Sequence, residues 1–279
     1  MNYKTIIVHI DRSRQTAARM EIAAQLAIDF EAHLIGVATT GVSRSLYESV
    51  TPAMQSAALA PLLGTLQRET EELANRFEAF VQHAGVCSFE KRVMNDEPAS
   101  ALAMQARYTD LLILGQYDPD GTESSVYADL PEYIAMNGGC PVLVVPYAGN
   151  YALPLARVLI GWNASPEASK AVRQALPFLQ RAKIVEVIVF NGEKQQDALG
   201  EQPGADVALF LSRHGVSIDV RQERIDGDAG EALLSVAANL ESDLLVMGCY
   251  GHSRFREICL GGASRTVLQS MTLPTLIAH

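Results

Sequence analysis

The chain is written twice, and that repetition constrains its fold more than any other feature. "KTIIVHIDRS" (4–13) is matched by "ARVLIGWNAS" (156–165), and "AGVCSFEKR" (84–92) by "HGVSIDVRQ" (214–222). "TDLLILGQY" (109–117) is matched by "SDLLVMGCY" (242–250), and "CPVLVVP" (140–146) by "LPTLIAH" (273–279). The order is the same in both halves. From Gly85 and Gly215 onward the offset is nearly constant, so that Asp110/Asp243, Gly115/Gly248 and Pro141/Pro274 share one spacing. Two homologous domains are expected, 1–148 and 155–279, joined near "YAGNYALP" (147–154), where Gly, Asn and Pro cluster. A chain of 279 residues is long enough for both.

Within each half, apolar runs alternate with helical periodicity. Residues 6–10, 33–38, 111–114 and 142–145 are short runs rich in β-branched or aliphatic residues, and 86–93 alternates like a strand. Between them 17–30, 69–83 and 99–107 repeat apolar residues at helical spacing. Continuous apolar runs suit strands buried on both faces of a parallel sheet. The prediction is an α/β protein of two doubly wound domains, each a parallel sheet flanked by helices. The first half carries extra chain at 41–66, including the apolar "SAALAPLLGTL". It reads either as an added helix that packs on the surface or as a lid or partner-binding flap.

Composition narrows the function. A net charge of −10 argues against a surface that holds nucleic acid by neutralising phosphates. It leaves room for one small anion, because backbone N–H groups bind phosphate without net positive charge. The start "MNYKTIIVHIDRS" has no signal-peptide pattern, and no apolar stretch reaches the roughly 20 residues of a membrane span. A cytoplasmic protein is expected. Cys87, Cys140, Cys249 and Cys259 form no C-x-x-C and read as free buried thiols, with no zinc site.

The stretch "MGCYGHSRFREICLGGASRTVL" (247–268) follows the apolar run 244–247 and precedes a helix-forming segment beginning near "ASRTVLQSM". In open α/β sheets, ligands sit beyond the carboxyl ends of the strands, where the strand order reverses. Gly248 would let backbone approach a ligand there, and Gly251 would turn the chain back. Gly261 and Gly262 would lead into a helix whose first N–H groups favour phosphate, with Ser264 as cap or hydroxyl donor. The competing reading is a plain turn, since the stretch fits neither the P-loop nor the dinucleotide fingerprint.

Gly-x-x-Gly, nine residues, then Gly and a small residue, all after "DLLVMG", resembles the nucleotide-binding signature of the universal stress protein family. The first strand "IVHID" and the last strands "CPVLVVP" and "LPTLIAH" are similar to that family as well. The resemblance covers essentially the whole chain as a tandem pair. It implies a five-stranded parallel sheet per domain and ATP, or alternatively ADP or AMP, bound without rapid turnover. Carried over by position, Gly248, Gly251, Gly261 and Gly262 would hold ribose and phosphates, Ser264 would add a hydroxyl, and Met247 would belong to the same nucleotide-binding set. Asn163 would face the adenosine and Phe190 would offer backbone groups to the adenine. Two departures stand out: Gly262 occupies a position where the family often has Ser or Thr, and Asn163 one where it usually has Asp.

The first half breaks the pattern. After Gly115 it reads "QYDPDGTESSVYADLPEY", with Asp118 for the second glycine and Asp120, Glu123 and Asp129 adding negative charge. Like charges repel a triphosphate there, so the first domain is expected to be a degenerate structural or regulatory partner. His252, Arg254 and Arg256 read as phosphate contacts or as a solvated loop face, His9 as a packed histidine, and Trp162 as packing or pocket wall. No catalytic constellation stands out. The expected function is a stress-response, nucleotide-binding protein. The rivals are a non-nucleotide adaptor or small-molecule-binding protein acting through protein contacts, and a slow ATP hydrolase. The two last strands could meet edge to edge as an intramolecular pseudo-dimer, with a homodimer as a further option.

Overall fold

A computed structural model describes residues 2–49, 59–121, 128–149, 151, 154–191, 202, 204–250 and 260–279. The chain divides into two compact units, Tyr3–Cys140 and Pro141–His279, the latter joined by the N-terminal two residues.

The first unit runs β1 (Thr5–Ile10), α1 (Thr16–Phe30), β2 (His33–Thr39), α2 (Arg44–Ser49), α3 (Leu59–Ala84), β3 (Phe89–Met94), α4 (Pro98–Ala106), β4 (Leu111–Gly115) and α5 (Leu130–Gly138). Its strands lie in the order β3-β2-β1-β4, and every pairing is parallel. Strands β1 and β4 are the continuous apolar runs: Ile6, Val8, Leu111, Leu112 and Ile113 are fully buried. The edge strand β3 instead alternates between half-buried and exposed positions. Helix α3 packs on β2 through Phe77, whose ring lies over Gly36 so closely that an added Cβ would come within 2.5 Å of it. That contact sets the height of α3 above the sheet.

The extra chain predicted at 41–66 contains α2, and its last residues are the opening turns of the 26-residue helix α3. The helix expected in "SAALAPLLGTL" is therefore continuous with the one expected at 69–83.

The second unit runs β5 (Val142–Val145), β6 (Arg157–Gly161), α6 (Pro166–Gln174), α7 (Leu176–Leu179), β7 (Ile184–Phe190), α8 (Ala205–Arg213), β8 (Asp219–Glu223), α9 (Ala229–Asn239), β9 (Leu244–Gly248), α10 (Leu260–Ser270) and β10 (Thr275–Ala278). Its order is β5-β10-β9-β6-β7-β8. All pairings are parallel except β5 with β10, which is antiparallel, with Thr275 opposite Val144 and Ile277 opposite Val142. Thus β5, the last strand of the first sequence repeat, belongs by its contacts to the second compact unit.

The repeat carries atomic detail. Asp110 Oδ2 accepts the backbone N–H groups of Lys4 and Thr5 at 2.8 and 2.9 Å. Its counterpart Asp243 Oδ2 accepts those of Ala156 and Arg157 at 3.0 and 2.8 Å. Each aspartate, lying just before β4 or β9, fastens the start of the neighbouring strand and satisfies N–H groups that the sheet leaves open.

Candidate functional site

In the second unit β6 lies between β9 and β7, and the chain leaves β6 toward β7 on one side while β9 covers the other. The carboxyl ends of β6 and β9 are therefore a topological switch point. Asn163 follows β6 by two residues. Its Oδ1 accepts the Ser165 N–H at 3.1 Å, and Ser165 Oγ in turn accepts the Ala168 N–H at 3.1 Å, capping α6. Pro166 at the first helical position suits a site with no N–H partner. Glu167, in the same turn, is buried, and its Oε2 has no hydrogen-bond partner among the described residues.

Gly248 ends β9 against this turn. A Cβ added there would lie 2.5 Å from the Ala168 nitrogen and 2.7 Å from the Glu167 carbonyl carbon. The glycine expected to admit a ligand is thus already required by the close approach of α6. Beyond it, Cys249 is buried and donates its N–H to the Ala278 carbonyl at 2.8 Å. Tyr250 then takes a left-handed backbone, φ 49°.

Helix α10 begins at Leu260, so Gly261 and Gly262 form part of its first turn instead of preceding it. Ser264 is the fifth helical residue and not a cap. It is 2% exposed, and its Oγ accepts the Tyr250 N–H at 3.4 Å, tying the helix to the exit of β9. At Gly262 an added Cβ would meet, among the described residues, only Asp228 Oδ2, at 3.5 Å. Phe190 is the last residue of β7, half-buried, beside the same end of the sheet. The fold therefore brings Asn163, Phe190, Met247, Gly248 and Ser264 to one end of the sheet. Gly251, His252, Arg254, Arg256 and Cys259 lie outside the described residues.

Several contributors were not legible in advance. Ser165 and Glu167 form the first turn beside Gly248. Asp228 caps α9 through the N–H groups of Gly230 and Glu231, at 2.8 and 3.0 Å, and so comes to rest near Gly262. His279 Nδ1 donates to the Cys249 carbonyl at 2.8 Å. Non-glycine residues in the left-handed region follow β6 (Ala164, φ 57°), β7 (Asn191, φ 51°) and β9 (Tyr250). Such backbone costs on the order of 1–3 kcal/mol per residue and clusters at functional sites. The remaining two among the described residues, Glu31 and Glu241, directly follow helical segments, where the conformation is common.

The matching end of the first unit is built differently. Asp11 Oδ1 accepts the Ser13 N–H at 3.0 Å, as Asn163 does for Ser165. Here, however, the carboxylate also takes the hydroxyls of Ser13 and Thr16 and pairs with Arg19 Nη2 at 2.7 Å. Arg19 is 1% exposed; its Nε donates to the His9 carbonyl at 2.9 Å and its Nη2 to Thr16 Oγ1 at 3.0 Å. Burial, the largest single influence, would raise the Asp11 carboxyl, but the Arg19 guanidinium, His9 and the Ser13 and Thr16 hydroxyls together outweigh it and hold the group well below the usual carboxylate range. Burial pushes His9 down to about 4, with Asp11 opposing and Arg19 adding to the shift. His9 is the packed histidine expected from sequence. Of the cysteines, Cys140 is buried, which pushes its thiol up to about 12, whereas Cys87 is exposed, against the expectation of burial.

Two doubly wound α/β repeats in one chain, each with an aspartate fastening the start of a neighbouring strand, define the class of fold. The sequence profile of the Universal stress protein family matches residues 2–146 and again 155–279, and the chain belongs to that family. It is 27% identical over 136 residues to Universal stress protein Slr1230 of a Synechocystis species, a match spanning 49% of this chain and 46% of that protein. The chain thus matches about half the length of that relative. Among solved structures, a universal stress protein from Archaeoglobus fulgidus superposes with a TM-score of 0.68 at 15% identity, over 98% of this chain and 95% of that one. A Pseudomonas aeruginosa PAO1 protein of unknown function superposes at 0.59 and 16% identity, over 99% and 92%. These two likenesses establish the fold. Among the described residues no helix is long and apolar enough to cross a membrane, and no group of three or more His, Cys, Asp or Glu could hold a metal ion.

Proposed function

We propose that the second unit holds an adenine nucleotide, ATP foremost, at the carboxyl ends of β6 and β9, and that the first unit is its structural or regulatory partner in a stress response. The observation that carries this reading is the combination at one switch point of a Gly262 uncrowded by the described residues, the family-like glycine pattern, and left-handed backbone after three strand ends that are neighbours in the sheet. Asn163 would face the adenosine, Phe190 the adenine through its backbone, and Met247, Gly248, Gly251, Gly261, Gly262 and Ser264 the ribose and phosphates. Uncharged Asn163 and Ala171 stand where the first unit has Asp11 and Arg19, so the second unit lacks the counterpart of that ion pair.

Glu167 and Asp228 put two carboxylates near the phosphate end of this site. A triphosphate is accordingly expected to bind better with a divalent cation, which commonly joins one or two carboxylates to substrate phosphates.

Denaturing the purified protein and identifying released small molecules by mass spectrometry tests the reading directly. An adenine nucleotide in the supernatant, or a thermal shift on adding millimolar ATP, is the expected result. Its absence by both measures leaves the adaptor reading. Phosphate release above background that disappears in Gly262→Val would instead indicate a hydrolase.

A further inference from the structure

Arg19 is a large, charged side chain that the fold buries completely, at the carboxyl ends of two adjacent parallel strands. Asp11 follows β1 and Gly115 ends β4, and the guanidinium touches both. A Cβ added to Gly115 would overlap Arg19 Nη1, so this glycine is bare because the arginine lies on it. At the equivalent point of the second unit Gly248 is bare for another reason, since it is the α6 backbone that closes on it.

The chain itself draws many of the hydrogen bonds that this corner offers. The guanidinium takes the His9 carbonyl, the Thr16 hydroxyl and the Asp11 carboxylate. Asp11 Oδ1 also takes the Ser13 and Thr16 hydroxyls and the Ser13 N–H, while Oδ2 faces His9 Nδ1 at 3.6 Å. The arrangement also changes the local backbone. Ser165 is free to cap α6, but Ser13 Oγ is spent on Asp11, and α1 starts two register positions later than α6 with no side-chain cap. Sequence register sets Asp11 against Asn163 and Arg19 against Ala171, so acid and base are present together in one repeat and absent together in the other.

We propose that Arg19 is a built-in occupant of the first unit's strand-end site, a tethered guanidinium that holds the corner between Asp11 and Gly115 against outside ligands, while the cavity beside it, lined by Ile10, Asp11, Ser13, Thr16 and Glu69, stays open. The site behind it is a receptor for a planar cation, and the chain supplies that cation itself. The proposal stands whatever the second unit holds.

Two arms on the full-length chain test it, both read as melting of the first unit. In the first, Gly115→Ala is made in the natural chain and in an Asp11→Asn/Arg19→Ala background, which reproduces the pair found in the second unit. The added methyl is expected to lower the melting temperature by ~4 °C or more in the natural chain and to be tolerated, within ~1 °C, once Arg19 is gone. In the second, Arg19→Ala is melted in 10 mM guanidinium chloride and in 10 mM sodium chloride, the guanidinium being far below denaturing levels. Selective stabilisation by guanidinium is expected in Arg19→Ala and not in the natural chain or in Asp11→Asn/Arg19→Ala, which lacks the carboxylate. Equal cost of Gly115→Ala in both backgrounds overturns the proposal. So does a guanidinium effect that ignores Asp11. Should Arg19→Ala fail to fold, the Gly115→Ala pair decides alone.

Discussion

Gly115 and Gly248 occupy one position of the repeat and are bare for different physical reasons, the one under a side chain and the other under helix backbone. The distinction has a measurable consequence in the second unit. Gly248→Ala is expected to cost about 1–3 kcal/mol in urea denaturation, because backbone cannot step aside cheaply. Gly262→Ala meets, among the described residues, only ordinary contact with Asp228 and lies in a helix, where alanine is favoured over glycine by roughly 0.5–1 kcal/mol, so stability should hold or rise. Gly262→Ala is therefore the cleaner probe of nucleotide binding: loss of affinity without loss of stability supports the proposed site, and unchanged affinity counts against it. The positions of these glycines were plain in the sequence. What each one faces was not, because a glycine records that space is needed and not who fills it.

Helix starts carry the next level of difference. Helix α6 begins on a serine cap followed by proline, and Ser165→Ala should cost about 1 kcal/mol of second-unit stability by chemical denaturation. The same change at Ser13 removes a hydroxyl from the Asp11 cluster and leaves the start of α1 without a cap to lose, so helix content near α1 should be unaffected by circular dichroism. Strand and helix order could be read from periodicity because buried parallel strands are almost unbroken apolar runs, as in "LLILG" and "LLVMG". The start of α10 was harder. The glycines at 261 and 262 resemble a turn by composition, yet they are helical, held in part by the Ser264 to Tyr250 bond that only the fold creates. Helix α3 shows the converse: its opening turns read as a separate insertion because the apolar stripe changes character near Gly64.

Across the whole molecule, the two units should respond differently to acid. His9 in the first unit is held near 4, below its ordinary value, so between about pH 6.5 and 4 the unfolded chain binds a proton that the native unit refuses. First-unit stability must therefore fall as pH drops through that window, by up to about 3 kcal/mol. The Asp11 contribution is lost only at still lower pH, since its carboxyl is held further down. The second unit has Gly161 at the His9 position and Asn163 at that of Asp11, and so lacks both effects. Hydrogen exchange followed by mass spectrometry at pH 7 and pH 5, corrected for intrinsic rates, should show protection in β1 and β4 declining more than in β6 and β9. His9→Gln should flatten the first-unit response; an unchanged slope in that variant would sink the assignment. None of this was visible in the repeat itself, because Arg19 lies in a helix eight residues beyond Asp11 and only packing returns it to the strand end.

The placement of β5 has a bearing on the order of events during synthesis. The ribosome makes "VLVV" well over a hundred residues before "TLIA", its antiparallel partner. At ordinary elongation rates that is a wait on the order of ten seconds. Throughout it an apolar strand edge stands without its mate, and sheet edges of that kind invite wrong partners. The nascent chain thus has a period of exposure written into its topology, and the interval closes only when β10 emerges and the second unit can take up a strand made long before the rest of it existed.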